Sequence, residues 1–373
     1  MSITRALIAW SYRHIGKPIF FRFDPEFVHD RVTQLGQILG SNSVTRFFTK
    51  KTLAYQNPII QTQLDNLVLT NPIGLSAGFD KDARLTQILP SVGFGFAEIG
   101  SVTRLPYRGN LRPRLYRLPK SQSIVVYYGL KNDGVDTVLK RLPIKPRIPL
   151  GISIAKSNDP STNSLESGIA DYLYSIERAN QHPSCAYITI NISCPNTFGG
   201  EPFTTPAALK QLLDGLHQHI RITKPIFIKM PIDLPWPKFH ELLKVIVNYP
   251  ISGVVIGNLT KDRHAITIKD PIPATIQGGL SGKPTEQLAN HLIEQTYRTY
   301  GTKLAIVGVG GVFSAADAYR KLRLGASAIQ LITGMIFEGP QLIGQINEGI
   351  ANQLKVDGAR SIKEIIGRDA GRV

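Results

Sequence analysis

The feature that most restricts what this chain can fold into is a recurrence. After residue 70, short apolar runs alternate with amphipathic, helix-patterned stretches. Eight such runs follow one another: "NPIGLSAG" (71–78), "GFAEIGSV" (95–102), "IPLGISI" (148–154), "AYITINIS" (186–193), "PIFIKM" (225–230), "GVVIGN" (253–258), "LAIVGVG" (304–310) and "SAIQLI" (327–332). Each reads as a short buried strand. Between most of them lies a helical pattern. "TPAALKQLLDGLHQHI" (205–220), for example, sets Ala208, Leu212, Leu216 and Ile220 on one face, with Thr204 as the expected N-cap. Eight parallel strands with helical crossovers close into a (β/α)8 barrel, an α/β TIM barrel. A length of 373 residues accommodates that as one unit, and 42% hydrophobic residues suffice for its core.

Barrel chemistry collects at the carboxyl ends of the strands. The polar residues expected there are Lys81, Ser101, Ser153, Asn191 with Cys194 and Asn196, Lys229 and Asn258, followed by the glycines of "GVGG" (308–311). Asparagine offers both donors and an acceptor, which suits a flat, amide-rich ring. "GVGG" after the seventh strand and "ITG" after the eighth match the place where many barrels bind phosphate. Lys81 and Lys229, in the same mouth, point to an anionic cofactor or substrate. Cys194 lies in "NISCPNTFGG" (191–200), where Pro195 and the glycines beyond it end the fourth strand. A thiol there can be a structural group, a nucleophile, a metal ligand or a proton acceptor. No second cysteine or histidine stands beside it to hold a metal, and no neighbour activates it as a nucleophile, which leaves the general base. No metal site is expected.

The residues before 71 differ. "SITRALIAWSYRH" places Ile3, Leu7 and Trp10 on one helical face. "FDPEFVHDRVTQLGQILG" opens with Asp24 as N-cap and Pro25 at the first helical position, and carries Val28, Val32, Leu35 and Leu39 as a second stripe. Two such helices with basic flanks dock on the barrel or lie in a membrane interface. The division expected is a helical module at 1–50, the barrel at 51–355 and a tail at 356–373. With 43 Lys and Arg against 27 Asp and Glu, the formal charge of +16 suits an anionic partner. No zinc spacing, helix-turn-helix or aromatic-plus-basic RNA signature occurs, so no nucleic-acid partner is expected. Two cysteines, no secretory pattern and no membrane-spanning apolar run give the expectation of a reduced, cytosolic-side protein.

Together these motifs resemble dihydroorotate dehydrogenase, most closely its quinone-using, membrane-associated class. The resemblance spans roughly residues 20–350 through "FRFDPE", "NPIGLSAGFDKD", "GFGFAEIGSVT", "PRLYRL", "GLKNDGVD", "NISCPNT", "GGLSGKP", "VGVGG" and "FEGP". It implies FMN as cofactor, dihydroorotate and orotate as substrate and product, a quinone as acceptor, and peripheral association with the cytoplasmic side of a membrane through the amphipathic N-terminus. Carried over by position, Ala77, Gly78 and Lys81 would wrap the flavin, with Lys81 also reaching substrate. Ser101 would contact the flavin, and Lys229 would lie beside its ring. Asn191 would touch flavin and substrate, Cys194 would be the base, and Asn196 and Asn258 would bind the pyrimidine. Gly282, Gly311 and Thr333 would hold the phosphate region.

The departures are specific. The quinone class usually carries serine as base, whereas Cys194 matches the soluble class and dihydropyrimidine dehydrogenases. Val126, Tyr127, Tyr128, Gly129 and Leu130 replace an Asn-Arg-Met-Gly-Phe type substrate loop. Leu259 replaces a substrate-binding threonine, and Ser153, Gly257 and Ile332 replace usual flavin contacts. These departures keep open a related FMN barrel acting on another dihydropyrimidine or cyclic ene.

Overall fold

A computed structural model describes residues 2–197 and 200–371. The eight apolar runs form β1 (Ile73–Leu75), β2 (Phe96–Val102), β3 (Leu150–Ile154), β4 (Tyr187–Asn191), β5 (Ile226–Met230), β6 (Gly253–Ile256), β7 (Ala305–Val309) and β8 (Ala328–Leu331). They close a parallel barrel in sequence order, β8 pairing with β1 and β5 with β6. The TIM barrel read from the sequence is therefore the fold.

Inside the barrel, large and small residues face each other. A Cβ at Gly74 would sit 2.4 Å from the Phe96 ring, and one at Gly151 would sit 2.1 Å from the Tyr187 ring. These two strand glycines thus make room for aromatic rings. Phe96, Tyr187 and Phe227 cluster with Leu64 and Leu69 of the hairpin Thr62–Leu64/Leu67–Leu69, which plugs the amino end. Above them sits a buried polar layer in which Glu98 accepts hydrogen bonds from Thr189 and Gln330, both at 2.9 Å. Only the carboxyl end is left open. A three-stranded antiparallel sheet, Leu115–Leu118, Ser123–Val126 and Gly279–Gly282, rises beside that mouth.

The outer helices bury their apolar stripe as expected. Helix Pro206–His219 buries Ala208, Leu209, Leu212, Leu213 and Leu216, each leucine contributing about 1.5–3 kcal/mol. Its N-cap is Thr205, whose side chain accepts from the Ala208 amide, and not Thr204. Pro206 occupies the first helical position, which makes the residue before it the cap. Thr204 instead donates to the Glu201 carbonyl.

Three helices precede the barrel. The first, α1 (Ile3–Ser11), runs on through a π-helical stretch, Tyr12–Gly16, to Phe20. Next come α2 (Pro25–Ser41) and α3 (Ser43–Leu53), so a third helix adds to the two expected and continues past residue 50. Asp24 caps α2 through the Phe27 amide at 2.8 Å. These helices attach by polar groups: Arg5 pairs with Glu348 at 2.9 Å, Arg13 with Glu338, and the Tyr12 hydroxyl donates to the Ile336 carbonyl. Many of their apolar residues point outward, with Ile3 79%, Leu7 61% and Trp10 56% exposed, whereas Leu39 packs on the barrel core and Phe21 on Phe337. The segment after residue 356 packs against the barrel, burying Ile362 and Ile365 and pairing Asp369 with Arg323.

Candidate functional site

The open end of the barrel holds a cavity lined by residues of β5, β7 and β8, of the segments that follow β1 and β6, of the small sheet and of α2. Gly78, Lys81, Val126, Tyr128, Lys229, Asn258, Gly282, Gly311, Ile332 and Thr333 line it, so ten of the sequence-derived site residues meet there. Gly78, at φ +111°, faces open space, since a Cβ there would find only Ile332 within 4 Å. Gly311 has φ +73°, and a Cβ would lie 2.3 Å from Glu286. Only glycine meets both demands at that turn. At this end Ser281 and Thr333 share a 2.9 Å hydrogen bond.

Beside the cavity, at the ends of β2, β3, β4 and β6, runs a string of hydrogen bonds. The hydroxyls of Ser153 and Ser101 lie 2.7 Å apart, Asn191 donates to Ser101 at 2.8 Å, and Asn258 donates to Asn191 at 3.4 Å. Asn258 also donates to the carbonyl and hydroxyl of Ser193. Ala77 precedes Gly78 on the turn after β1, and the amide of Gly78 donates to the Gly100 carbonyl at 2.6 Å. Gly257 packs against the Val309 carbonyl, where a Cβ would come within 2.4 Å.

Cys194 lies in a small adjoining cavity with Asn191, Leu130, Lys156, Tyr172 and Thr197. Burial pushes its thiol up to about 11, opposed by a hydrogen bond from the Asn196 amide. Asn196 is itself buried and donates to the Val126 carbonyl at 2.9 Å, while its side-chain amide oxygen has no partner among the described residues. Gly199 of the same loop, one of the glycines expected to end the strand, lies outside the described residues.

Both lysines line the cavity, Lys229 buried and Lys81 half-buried. Burial pushes Lys81 down to about 8, assisted by the charge of Lys131. Burial also lowers Lys229, against the pull of Glu98 and Cys194. The Lys81 ammonium sits 3.9 Å from the centre of the Tyr128 ring, a cation–π contact. Among the described residues the Tyr128 hydroxyl has no hydrogen-bond partner. Tyr127, in contrast, lines an outer groove with Tyr107 and Asn110, and Leu259 packs against Gly279 of the small sheet. Neither joins the cavity.

Some residues at the site escaped the sequence reading. Ser193 sits inside the Cys194 motif, and its hydroxyl donates to the Lys229 carbonyl at 2.9 Å. Glu98 reads as one more residue of an apolar strand. His29 was hidden in the α2 pattern. It packs edge-on against Phe79, donates through Nε2 to the Phe79 carbonyl at 2.9 Å, and lines an apolar arm of the cavity with Leu115, Ile124, Phe313 and Ile336.

Residues 59–354 match the family profile described as dihydroorotate dehydrogenase. The chain belongs to the dihydroorotate dehydrogenase family. Among curated relatives, it is 36% identical over 362 residues to the dihydroorotate dehydrogenase (quinone) of Chloroflexus aurantiacus, covering 92% of this chain and 97% of the relative. The counterpart from Trichodesmium erythraeum is 33% identical over 377 residues, covering 95% and 98%. Among solved structures it resembles a dihydroorotate dehydrogenase from Eimeria tenella in complex with ferulenol, with TM-score 0.78, 26% identity and coverage of 93% and 96%. In this mouth the Val126–Leu130 loop carries no side-chain amide.

Proposed function

We propose that this chain oxidises dihydroorotate to orotate with FMN and passes the electrons to a quinone at a membrane surface, as a step of pyrimidine synthesis. The observation that carries the reading is the juxtaposition of Cys194 and three asparagines with a cavity whose far arm reaches the outward-facing apolar helices.

The cavity fits FMN. Gly310, Gly311, Gly282 and Thr333 form a glycine-rich cradle suited to phosphate, Val309, Leu331 and Ile332 supply an apolar wall, and Lys229 lines the cavity beside which the Asn191–Ser101 pair stands. FMN, when bound, supplies the hydride acceptor. Lys229, desolvated there, stabilises negative charge through low-dielectric attraction. Asn191, Asn196 and Asn258 hold the amide edges of the pyrimidine, and Lys81 neutralises its carboxylate. Cys194, as thiolate, takes the proton from C5 while the hydrogen at C6 leaves as hydride, and the C5–C6 double bond forms. The quinone then takes up two electrons and two protons.

The helical module, residues 1 to about 50, is assigned to membrane and quinone. Arg13, Lys17, Arg22, Arg31, Lys50 and Lys51 flank its exposed Leu7, Trp10, Phe20, Leu35, Ile38 and Phe47. That pattern suits insertion of an apolar face among anionic headgroups. No helix among the described residues is long and apolar enough to cross a membrane, so the association proposed is peripheral, on the cytoplasmic side. Val126, which offers substrate no side-chain hydrogen bond, favours as second reading an FMN barrel acting on another dihydropyrimidine. The test is acceptor and substrate profiling on vesicles. Turnover of dihydroorotate with a long-chain quinone, and not with NAD or fumarate, is expected. Faster turnover of another dihydropyrimidine would favour the second reading.

A further inference from the structure

Glu26 belongs to the first turn of α2, yet its side chain turns away from the helix surface and is only 3% exposed. Three cations meet it. Arg112 Nε lies 3.1 Å from Oε2, and Arg114 Nη1 and Lys131 Nζ lie 3.0 and 3.1 Å from Oε1. A buried carboxylate persists only with such compensation.

What the partners do next is the informative part. Arg114 also donates through Nε to the Asn110 carbonyl, so its planar fork spans Glu26 and the 104–114 loop. Asn110 donates through Nδ2 to the Asn196 carbonyl at 3.1 Å, two residues from Cys194. Asn196 donates through its own Nδ2 to the Val126 carbonyl at 2.9 Å. The Tyr127 amide donates to the Arg114 carbonyl at 2.7 Å. Five residues beyond Val126 the chain reaches Lys131, back at Glu26. The connections form a closed ring, Glu26 to Arg114 to Asn110 to Asn196 to Val126 and through the 126–131 backbone to Lys131.

We propose that Glu26 is a positioning residue for the substrate: from the helical module it fixes, through Arg114 and Asn110, the loop that carries Asn196 and Cys194, and through Lys131 the loop that begins at Val126. The inference rests on the functional reading above for the identity of the substrate, though not for the mechanics. Neutralising the carboxylate leaves the part-buried Arg114 and Lys131 cations facing one another beside Arg112, and like-charge repulsion pushes the two loops apart. The substrate asparagine is thereby held in place only while α2 is seated on the barrel.

The experiment compares Glu26→Gln, Arg114→Lys, their double variant and Arg112→Ala as flavin-loaded enzymes. Lysine keeps the charge of Arg114 but cannot bridge Glu26 and Asn110 at once, and it guards against a Glu26 variant that fails to fold. Arg112 is 70% exposed at its side chain, and among the described residues that side chain bonds only Glu26. Two readouts are taken: orotate affinity from flavin spectral shifts, and the rate at which iodoacetamide alkylates Cys194, the other thiol, Cys185, being buried. Both Glu26→Gln and Arg114→Lys are expected to weaken orotate and speed alkylation by roughly 5-fold or more, with the double variant no worse than the stronger single, as for residues in one network. Arg112→Ala should match the parent. If both single variants stay within about twofold of the parent in both readouts, the proposal is overturned, as it is if Arg112→Ala has the same effect as Arg114→Lys. Faster alkylation in Glu26→Gln and Arg114→Lys than in the parent, with no orotate binding by the parent at all, would sustain the positioning role while sinking the substrate assignment.

Discussion

The barrel and the helices ahead of it use the same amphipathic pattern in opposite senses. Helix Pro206–His219 turns its leucines inward against the strands. Helix α2 buries Glu26, Thr33 and Gly40 and leaves Phe27, Val32, Leu35 and Ile38 exposed. Its close approach to the barrel is made by small residues: a Cβ at Gly40 would lie 3.2 Å from Ile88 N, and one at Gly36 would lie 2.5 Å from Leu85. Hydrophobic periodicity thus reports that a face exists, and only packing tells whether the face belongs to the core or to a neighbour outside the chain. The first region closes around a cavity, and the second leaves an apolar face uncovered.

The largest expected effect separates the two regions at the reaction itself. Cys194→Ala should keep flavin bound and leave vesicle association untouched, but slow flavin reduction by dihydroorotate about 100-fold or more. Near-parental reduction in a stopped-flow trace would remove Cys194 as base and with it the sharpest difference between mouth and module.

The converse change targets the outward face. Leu35 and Ile38 are 55% and 66% exposed, and burying each in lipid contributes about 1.5–3 kcal/mol. Leu35→Glu with Ile38→Glu should weaken cosedimentation with anionic vesicles roughly 100-fold while flavin reduction proceeds at the parental rate. Undiminished vesicle binding would mean that this face looks elsewhere than to lipid.

A pH profile sharpens the account of the mouth alone. Because burial raises the Cys194 thiol to about 11, the protonated form prevails through neutral pH and the thiolate grows as pH rises. The limiting rate of flavin reduction should therefore climb about tenfold per pH unit from 7 to 9, past the ordinary thiol value near 8.5. A plateau by pH 7.5 would contradict that environment. The smallest effect belongs to Tyr128, whose buried hydroxyl has no partner among the described residues and whose ring covers Lys81. If it takes the hydrogen bond that Val126 cannot make, Tyr128→Phe weakens orotate by about 0.5–1.5 kcal/mol, or roughly 2- to 12-fold. Tyr127→Phe, in the outer groove, should not.

Much of the barrel was legible in the sequence because a parallel strand buried on both faces leaves a continuous apolar run between breakers, and all eight did so. The mouth followed from the fold, since strand ends locate the site before any role is assigned. Other parts depend on long-range contacts. The third helix, "SVTRFFTKKTL", has Phe47 and Phe48 adjacent and four basic or hydroxyl residues in its last five, and its stripe is weak without a partner surface. The cap at Thr205 was within reach, because Pro206 marks the first helical position. The Glu26 ring was not, because it joins residues up to 105 positions apart.

The central claim is that one mouth oxidises dihydroorotate on a flavin whose electrons leave toward the apolar module. The most direct measurement is anaerobic mixing of the yellow enzyme with dihydroorotate, followed by addition of a long-chain quinone in vesicles, with flavin absorbance recorded throughout. The account predicts rapid bleaching with formation of orotate, then return of the oxidised spectrum on adding quinone. A flavin that stays oxidised in excess dihydroorotate, or one that bleaches but is not reoxidised by quinone, would contradict it.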